Sequence, residues 1–169
     1  MEKVTHNLEF ENARIMFRNF RGLPTKFNPA GGKPDFCVII PDPNTAQTLR
    51  DEGWNVRVLA PRSEEEEPLD YLQVAVAFGR IPPTIIMYVN GVETQLDEDT
   101  IGELDTAEIS YVDLVVRPYN WEVRGDHGVK AYLKAMYVTI EQDRFAAKYA
   151  ARKNARAGKP DSNEEDLPF

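Results

Sequence analysis

Residues 109–140 read ISYVDLVVRPYNWEVRGDHGVKAYLKAMYVTI. Two runs, 109–124 and 129–140, alternate apolar and polar residues on either side of Gly125-Asp126-His127-Gly128, a tight-turn sequence. With Asp126 and His127 as the central turn pair, Trp121 faces Tyr132 and Tyr119 faces Lys134. Side chains alternate with period two, so Arg117, Tyr119, Trp121 and Val123 share a face with Lys130, Tyr132 and Lys134. The opposite face takes Ala131, Leu133 and Ala135 together with Val112, Leu114 and Val116. That face is small and apolar, as a core face should be, whereas the first interleaves flat aromatic rings with cations.

An aromatic and cationic face is what a single-stranded nucleic acid requires. Each base offers a π surface, and stacking on Trp or Tyr contributes about 1–3 kcal/mol per base whatever the sequence, while Lys and Arg follow the phosphates. The plainer reading is a sheet whose cross-strand aromatics stabilise pairing and whose lysines keep it soluble. The first strand adds a second row on one parity, Arg14, Met16, Arg18 and Phe20. Tyr71 supplies a further ring, and Trp54, in GWNVR, is either a groove aromatic or a staple onto the core, the core being the better fit.

Working outward, residues 8–20 alternate as a strand with a one-residue shift between Phe10 and Ala13, which suits a β-bulge or a bend. Residues 21–35, rich in Gly and Pro, read as a long loop, and 36–40 as a short apolar strand. PDPNTAQTLRDEGW reads as a helix capped by Asn44 or Thr45 and stopped by Gly53. Residues 71–78 alternate with Leu72, Val74, Val76 and Phe78 on one face, and 85–89 form a strand turned by Asn90-Gly91. The polar stretch 97–108 suits a short helical turn. Residues 143–157 form the one long helical segment, carrying Phe145, Ala146 and Tyr149 with five bases, and 158–169 an acidic, disordered tail. Seven or so short strands with few helices indicate a mainly β fold, an OB-type Greek-key barrel with elaborated loops and one C-terminal helix. The domain spans 1–157 and the flexible tail 158–169.

Composition narrows the function. No run approaches the roughly 18 apolar residues of a membrane span, and the first residues lack the order of a secretory signal, so an intracellular protein without a membrane partner is expected. The single cysteine, Cys37, sits in the apolar run FCVII, as a buried structural thiol does. With only two histidines, His6 and His127, no metal or catalytic pattern forms, and FNPAGGKPD fits neither glycine-rich phosphate motif. No catalytic residue, metal or cofactor is expected. Net charge is -8, which alone argues against a polyanion partner. Setting aside four acids in the tail and four at Glu64 to Glu67 leaves 20 acids against 20 bases, a neutral body in which basic patches can exist.

The tail closes as Asp161-Ser-Asn-Glu164-Glu165-Asp166-Leu167-Pro168-Phe169. A ring on a disordered tail has nothing of its own to bury it. A partner's apolar pocket with a basic rim would take Phe169 and Leu167, attract Asp161, Glu164, Glu165 and Asp166, and gain from the restriction that Pro168 imposes. A merely solubilising tail would explain the acids and leave the last three residues to chance.

EEDLPF resembles the acidic tip of bacterial single-stranded DNA-binding proteins. RNFRG, GWNVR, PLDYLQVAV, VDLVVRPYNWEV and GVKAYLKAMYVTIEQD together resemble the single-stranded DNA-binding proteins of tailed phages over roughly residues 7–149. The resemblance implies an OB fold, coating of single-stranded DNA without catalysis in the cytoplasm of a bacterial host, and recruitment through the tail of a polymerase, helicase, primase or recombinase. A monomer and a homodimer both fit. Under this reading Tyr119, Trp121 and Tyr132, with Phe20 and Tyr71, stack on bases, and Arg14, Arg18, Arg117, Lys130 and Lys134 meet phosphate. The competing class is an OB-fold adaptor that uses the aromatic face for a protein, such as a host or defence factor, and binds no DNA.

Overall fold

The computed structural model describes residues 3–26, 28–141 and 152. The expected helix over 143–157, apart from Arg152, and the tail 158–169 lie outside them. Among the described residues nine strands run in chain order as β1 (Leu8–Phe10), β2 (Ile15–Asn19), β3 (Asp35–Ile40), β4 (Val56–Leu59), β5 (Leu69–Ala75), β6 (Thr84–Val89), β7 (Val92–Leu96), β8 (Ile109–Val123) and β9 (Asp126–Ile140). Helix α1 (Pro43–Glu52) follows β3, and a 3-10 helix (Ile101–Asp105) precedes β8.

The strand order β1-β8-β9-β5-β3-β2 is antiparallel except where β5 meets β9. β1 and β2 are two halves of one bent strand, and the bend closes the sheet. The Ala13 N–H donates to the Val112 carbonyl of β8 (2.7 Å), and one residue on the Arg14 carbonyl accepts from Ile39 of β3 (2.9 Å). This is the OB barrel topology, with β1 and β2 together as its first strand. The expected one-residue shift becomes this bend, where Asn12 takes a left-handed φ of 46°.

Alternation fills the interior. Phe36, Val38 and Ile40 of β3, Leu72 and Val74 of β5, Val112, Leu114 and Val116 of β8, and Val129, Ala131 and Leu133 of β9 are all buried. The barrel ends are covered by α1 with Ala46 and Leu49, by Trp54, and by Ile101 and Leu104 of the 3-10 helix. Asp42, two residues before the expected Asn44 and three before Thr45, caps α1: its Oδ1 accepts from the Asn44 N–H at 3.0 Å, ahead of Pro43 at the first helical position. Gly53, at φ 112°, ends the helix as expected. The β6–β7 hairpin turns through Asn90 (φ 51°) and Gly91 (φ 79°) and extends the sheet by pairing β6 in parallel with the second half of β9.

Two details of the β8–β9 hairpin differ from expectation. Its turn is Arg124-Gly125, both at positive φ (52° and 86°), with Val123 opposite Asp126, because this pair suits the primed turns that match strand twist. Trp121 therefore opposes Gly128, Tyr119 opposes Lys130 and Arg117 opposes Tyr132. The slip is an even number of residues, so the face composition survives while every partner changes. Further along, Val115 pairs with Ala135 but Val116 with Leu133, making Lys134 an extra, bulged residue. The bulge reverses parity: Met136 and Val138 continue the core where Ala135 was expected to.

Candidate nucleic-acid interface

Three rings and two cations meet on the outer face of the hairpin. Tyr132 stands edge-on to Tyr119, with centroids 5.9 Å apart and planes at 88°. The Arg117 guanidinium carbon lies 4.8 Å, and the Lys130 ammonium 5.1 Å, from the Tyr132 ring centre. Arg117 Nε has no protein partner. Trp121 lies over the bare backbone of Gly128, so close that a Cβ there would come within 2.8 Å of its ring. Tyr119 is 52% and Trp121 38% exposed, and both offer surface to a ligand. Asn120, alternating to the inside, accepts from the Val4 N–H (2.9 Å) and donates to the Val4 carbonyl (2.8 Å), which ties the N-terminal segment to the strand carrying Trp121.

From Trp121 a groove of about 540 Å³ runs past Lys130, Gly128 and His127 to Lys33, Asp35 and Gln73. A second, of about 750 Å³, shares Lys33, Asp35 and Gln73 and continues past Tyr71, Arg57 and Lys26 to Phe17. Together they cross β5 and β3, between the β2–β3 loop and the β8–β9 hairpin. The described lining residues carry four bases, Lys26, Lys33, Arg57 and Lys130, against one acid, Asp35, in a chain of net charge -8. The basic concentration is local, and that is what a polyanion path needs.

Phe17 marks the far end. β2 gains an extra residue between Met16, opposite Cys37, and Asn19, opposite Asp35, and Phe17 takes a φ of 52° there. Positive φ is strained for an aromatic residue. The result is a 55%-exposed ring edge-on to Tyr71 at 6.3 Å.

The same bulge corrects the expected first-strand row. It reverses parity before Phe20, which is 1% exposed and packs 5.3 Å from Phe36 in the core, so it has no face for a base. Arg18 turns to the 3-10 helix and its Nη1 donates to the carbonyls of Leu104 and Ala107, both at 2.8 Å. Arg14 is exposed but lines, with Arg18, Glu108 and Tyr111, a separate cavity at the strand bend. Lys134 is exposed at its bulge and lines neither groove. Arg117, Tyr119, Trp121, Lys130 and Tyr132 are brought together on the hairpin face as expected, with Trp121 and Lys130 alone of the five lining the first groove, and Tyr71 sits in the second. Trp54, 2% exposed, packs in the core and reaches the first groove only as part of its floor. Phe17, Lys26, Lys33 and Arg57 were missed. Arg57 lies in the GWNVR segment, and Lys26 and Lys33 lie in the loop that follows the first barrel strand, where an OB fold presents ligand-binding residues.

Cys37 faces the floor of the second groove. Burial, reinforced by the Asp35 carboxylate and offset in part by Arg57, pushes its thiol from 9.0 up to about 11. It is held as a neutral thiol, as a structural cysteine is. No cluster of metal-ligating side chains occurs among the described residues, and no described helix is long and apolar enough to cross a membrane.

An OB barrel with a cation-lined, aromatic groove across its second and third strands has the build of the OB-fold modules that bind single-stranded nucleic acids. The family model described as "Putative phage ssDNA-binding domain" matches residues 1–168, and the chain belongs to that family. Among solved structures it is similar to the C-terminally truncated single-stranded DNA-binding protein of bacteriophage Enc34, at 15% identity and a TM-score of 0.53 over 85% of this chain and 94% of that one. The Enc34 protein in complex with ssDNA matches at 15% identity and TM-score 0.53, over 86% of this chain and 96% of that one. A further structure of the single-stranded DNA-binding protein from bacteriophage Enc34 matches at 13% identity and TM-score 0.51, over 98% of this chain and 96% of that one. No curated protein matches the sequence.

Proposed function

We propose that this protein binds single-stranded DNA along the joined grooves. The observation that carries the reading is that the aromatic, cationic hairpin face meets a basic channel over β3 and β5 at Trp121 and Lys130. Trp121, Tyr119 and Tyr132 stack on bases at one end, Phe17 and Tyr71 at the other, and Arg117, Lys130, Lys33, Arg57 and Lys26 follow the phosphates. Membership of a phage family and the Enc34 complex with ssDNA support the same ligand. The stacking component accepts any base, as coating of exposed strands in phage replication or recombination requires.

The test is a salt-titrated anisotropy measurement on oligo-dT and on duplex of equal length. The single strand is expected to bind more tightly, with affinity falling as salt rises. Binding should quench Trp121 and leave the buried Trp54 largely unaffected, so Trp121→Phe removes most of the signal. Equal affinity for duplex, or binding indifferent to salt, would reject the proposal and favour the adaptor reading.

The finer part of the proposal is that the acidic segment 161–169 recruits a replication or recombination protein. Its composition supports this: four acids, no base, then Leu167, Pro168 and Phe169. Deleting 161–169, which removes four acids, is expected to abolish capture of a phage polymerase or host helicase while tightening strand binding at low salt. Retained capture would assign recruitment to the barrel.

A further inference from the structure

The groove floor is not uniformly cationic. Asp35 lines both cavities and is the only carboxylate among the described residues that line either. Phe36 and Val74 point into the core, so their neighbours Asp35 and Gln73 point out, diagonal to each other across the β3–β5 pair. Gln73 Nε2 donates to Asp35 Oδ2 at 2.7 Å, which holds the carboxylate in place. A carboxylate only accepts hydrogen bonds, and its two oxygens have capacity for further donors beyond this one.

The cations flank this acid. Lys33 lines both grooves, Lys26 and Arg57 the Phe17 side, and Lys130 the Trp121 side. A phosphate is drawn to those flanks and repelled from Asp35, so the part of the strand that crosses Asp35 is a base edge rather than backbone. An acceptor meeting a base edge distinguishes bases by their donors. Cytosine and adenine present an amino group, and guanine an amino and an imino group. Thymine and uracil present one imino group between two carbonyl oxygens that a carboxylate repels.

We propose that Asp35, positioned by Gln73, makes one point of the groove selective, favouring bases with an exocyclic amino group over thymine and uracil. The inference rests on the single-stranded DNA reading and refines it: stacking accepts any base, and Asp35 adds a bias at one position along the strand.

Deoxycytidine and deoxyuridine oligonucleotides of equal length test it, because the pyrimidines carry an amino group and a carbonyl at the same ring position and neither has a methyl. The protein is expected to bind oligo-dC about tenfold more tightly than oligo-dU, the scale of one good base-edge contact. Asp35→Asn should bring the two affinities together, since an amide serves either edge, and Gln73→Ala, which releases the carboxylate, should shrink the ratio of oligo-dC to oligo-dU affinity. Equal binding of both by the unaltered protein, or a preference that survives in both variants, overturns the inference while leaving strand binding standing. No binding of either overturns the single-strand reading itself, and this inference with it.

Discussion

Gly128 has no side chain, and that absence lets Trp121 lie flat on the hairpin. A Cβ there would come 2.8 Å from the indole, so Gly128→Val should push the ring off its seat. The expected loss of oligo-dT affinity matches that of Trp121→Ala, about 1–3 kcal/mol for one stacked base, read by anisotropy. Unchanged affinity in both would remove Trp121 from the strand path. Cys37 gives a second prediction at this scale. With its thiol raised to about 11 in the fold, the unfolded chain ionises first, so the thiol's contribution to stability is intact below 9.0 and is lost as pH rises through about 11. Cys37 should therefore react slowly with a thiol reagent at pH 8 and quickly once urea unfolds the protein. Fast reaction in the folded state would mean the groove floor opens. The residue types of the interface were legible in the sequence, but which ring meets which cation was not, because the register depends on where the turn falls.

At the scale of elements, β2 holds the sharpest contrast between pattern and structure. Arg14, Met16, Arg18 and Phe20 share a parity in an unbroken strand, and a single extra residue at Phe17 sends Phe20 inward and Arg18 to the 3-10 helix. The clip there is reciprocal: Asp105 accepts from the N–H groups of Phe20 (2.6 Å) and Arg21 (3.0 Å), while Arg18 donates to the Leu104 and Ala107 carbonyls. Asp105→Ala should cost about 1–3 kcal/mol, as orphaned backbone donors and a lost charge-assisted pair do, and lower the urea midpoint. Arg18→Ala should likewise reduce stability and spare oligo-dT affinity. An affinity loss with an unchanged midpoint would restore Arg18 to the DNA path. Bulges of this kind were out of reach of the sequence, since the strain at Phe17 is held by the strands around it rather than by local preference.

Across the whole molecule the charge is -8, yet four of the five charged residues lining the grooves are basic. Strand affinity should therefore fall with salt despite the net charge. For single strands, each phosphate contact removed is expected to flatten the log–log salt slope by about 0.7, so Lys33→Ala and Arg57→Ala should each do so and Arg14→Ala should not. A slope untouched by the first two would move the path off β3 and β5. The sequence by itself determined most of the strands, the existence of the hairpins, the apolar faces up to each bulge and the residue types of the aromatic face, because period-two alternation and turn chemistry are local. Only the tertiary structure decided the hairpin partners, the loss of Phe20 and Arg18 from the interface, and the joining of Phe17, Lys26, Lys33, Arg57 and Asp35 into one channel. Those depend on two bulges, a bend and the closure of a barrel, which bring together residues far apart in the chain.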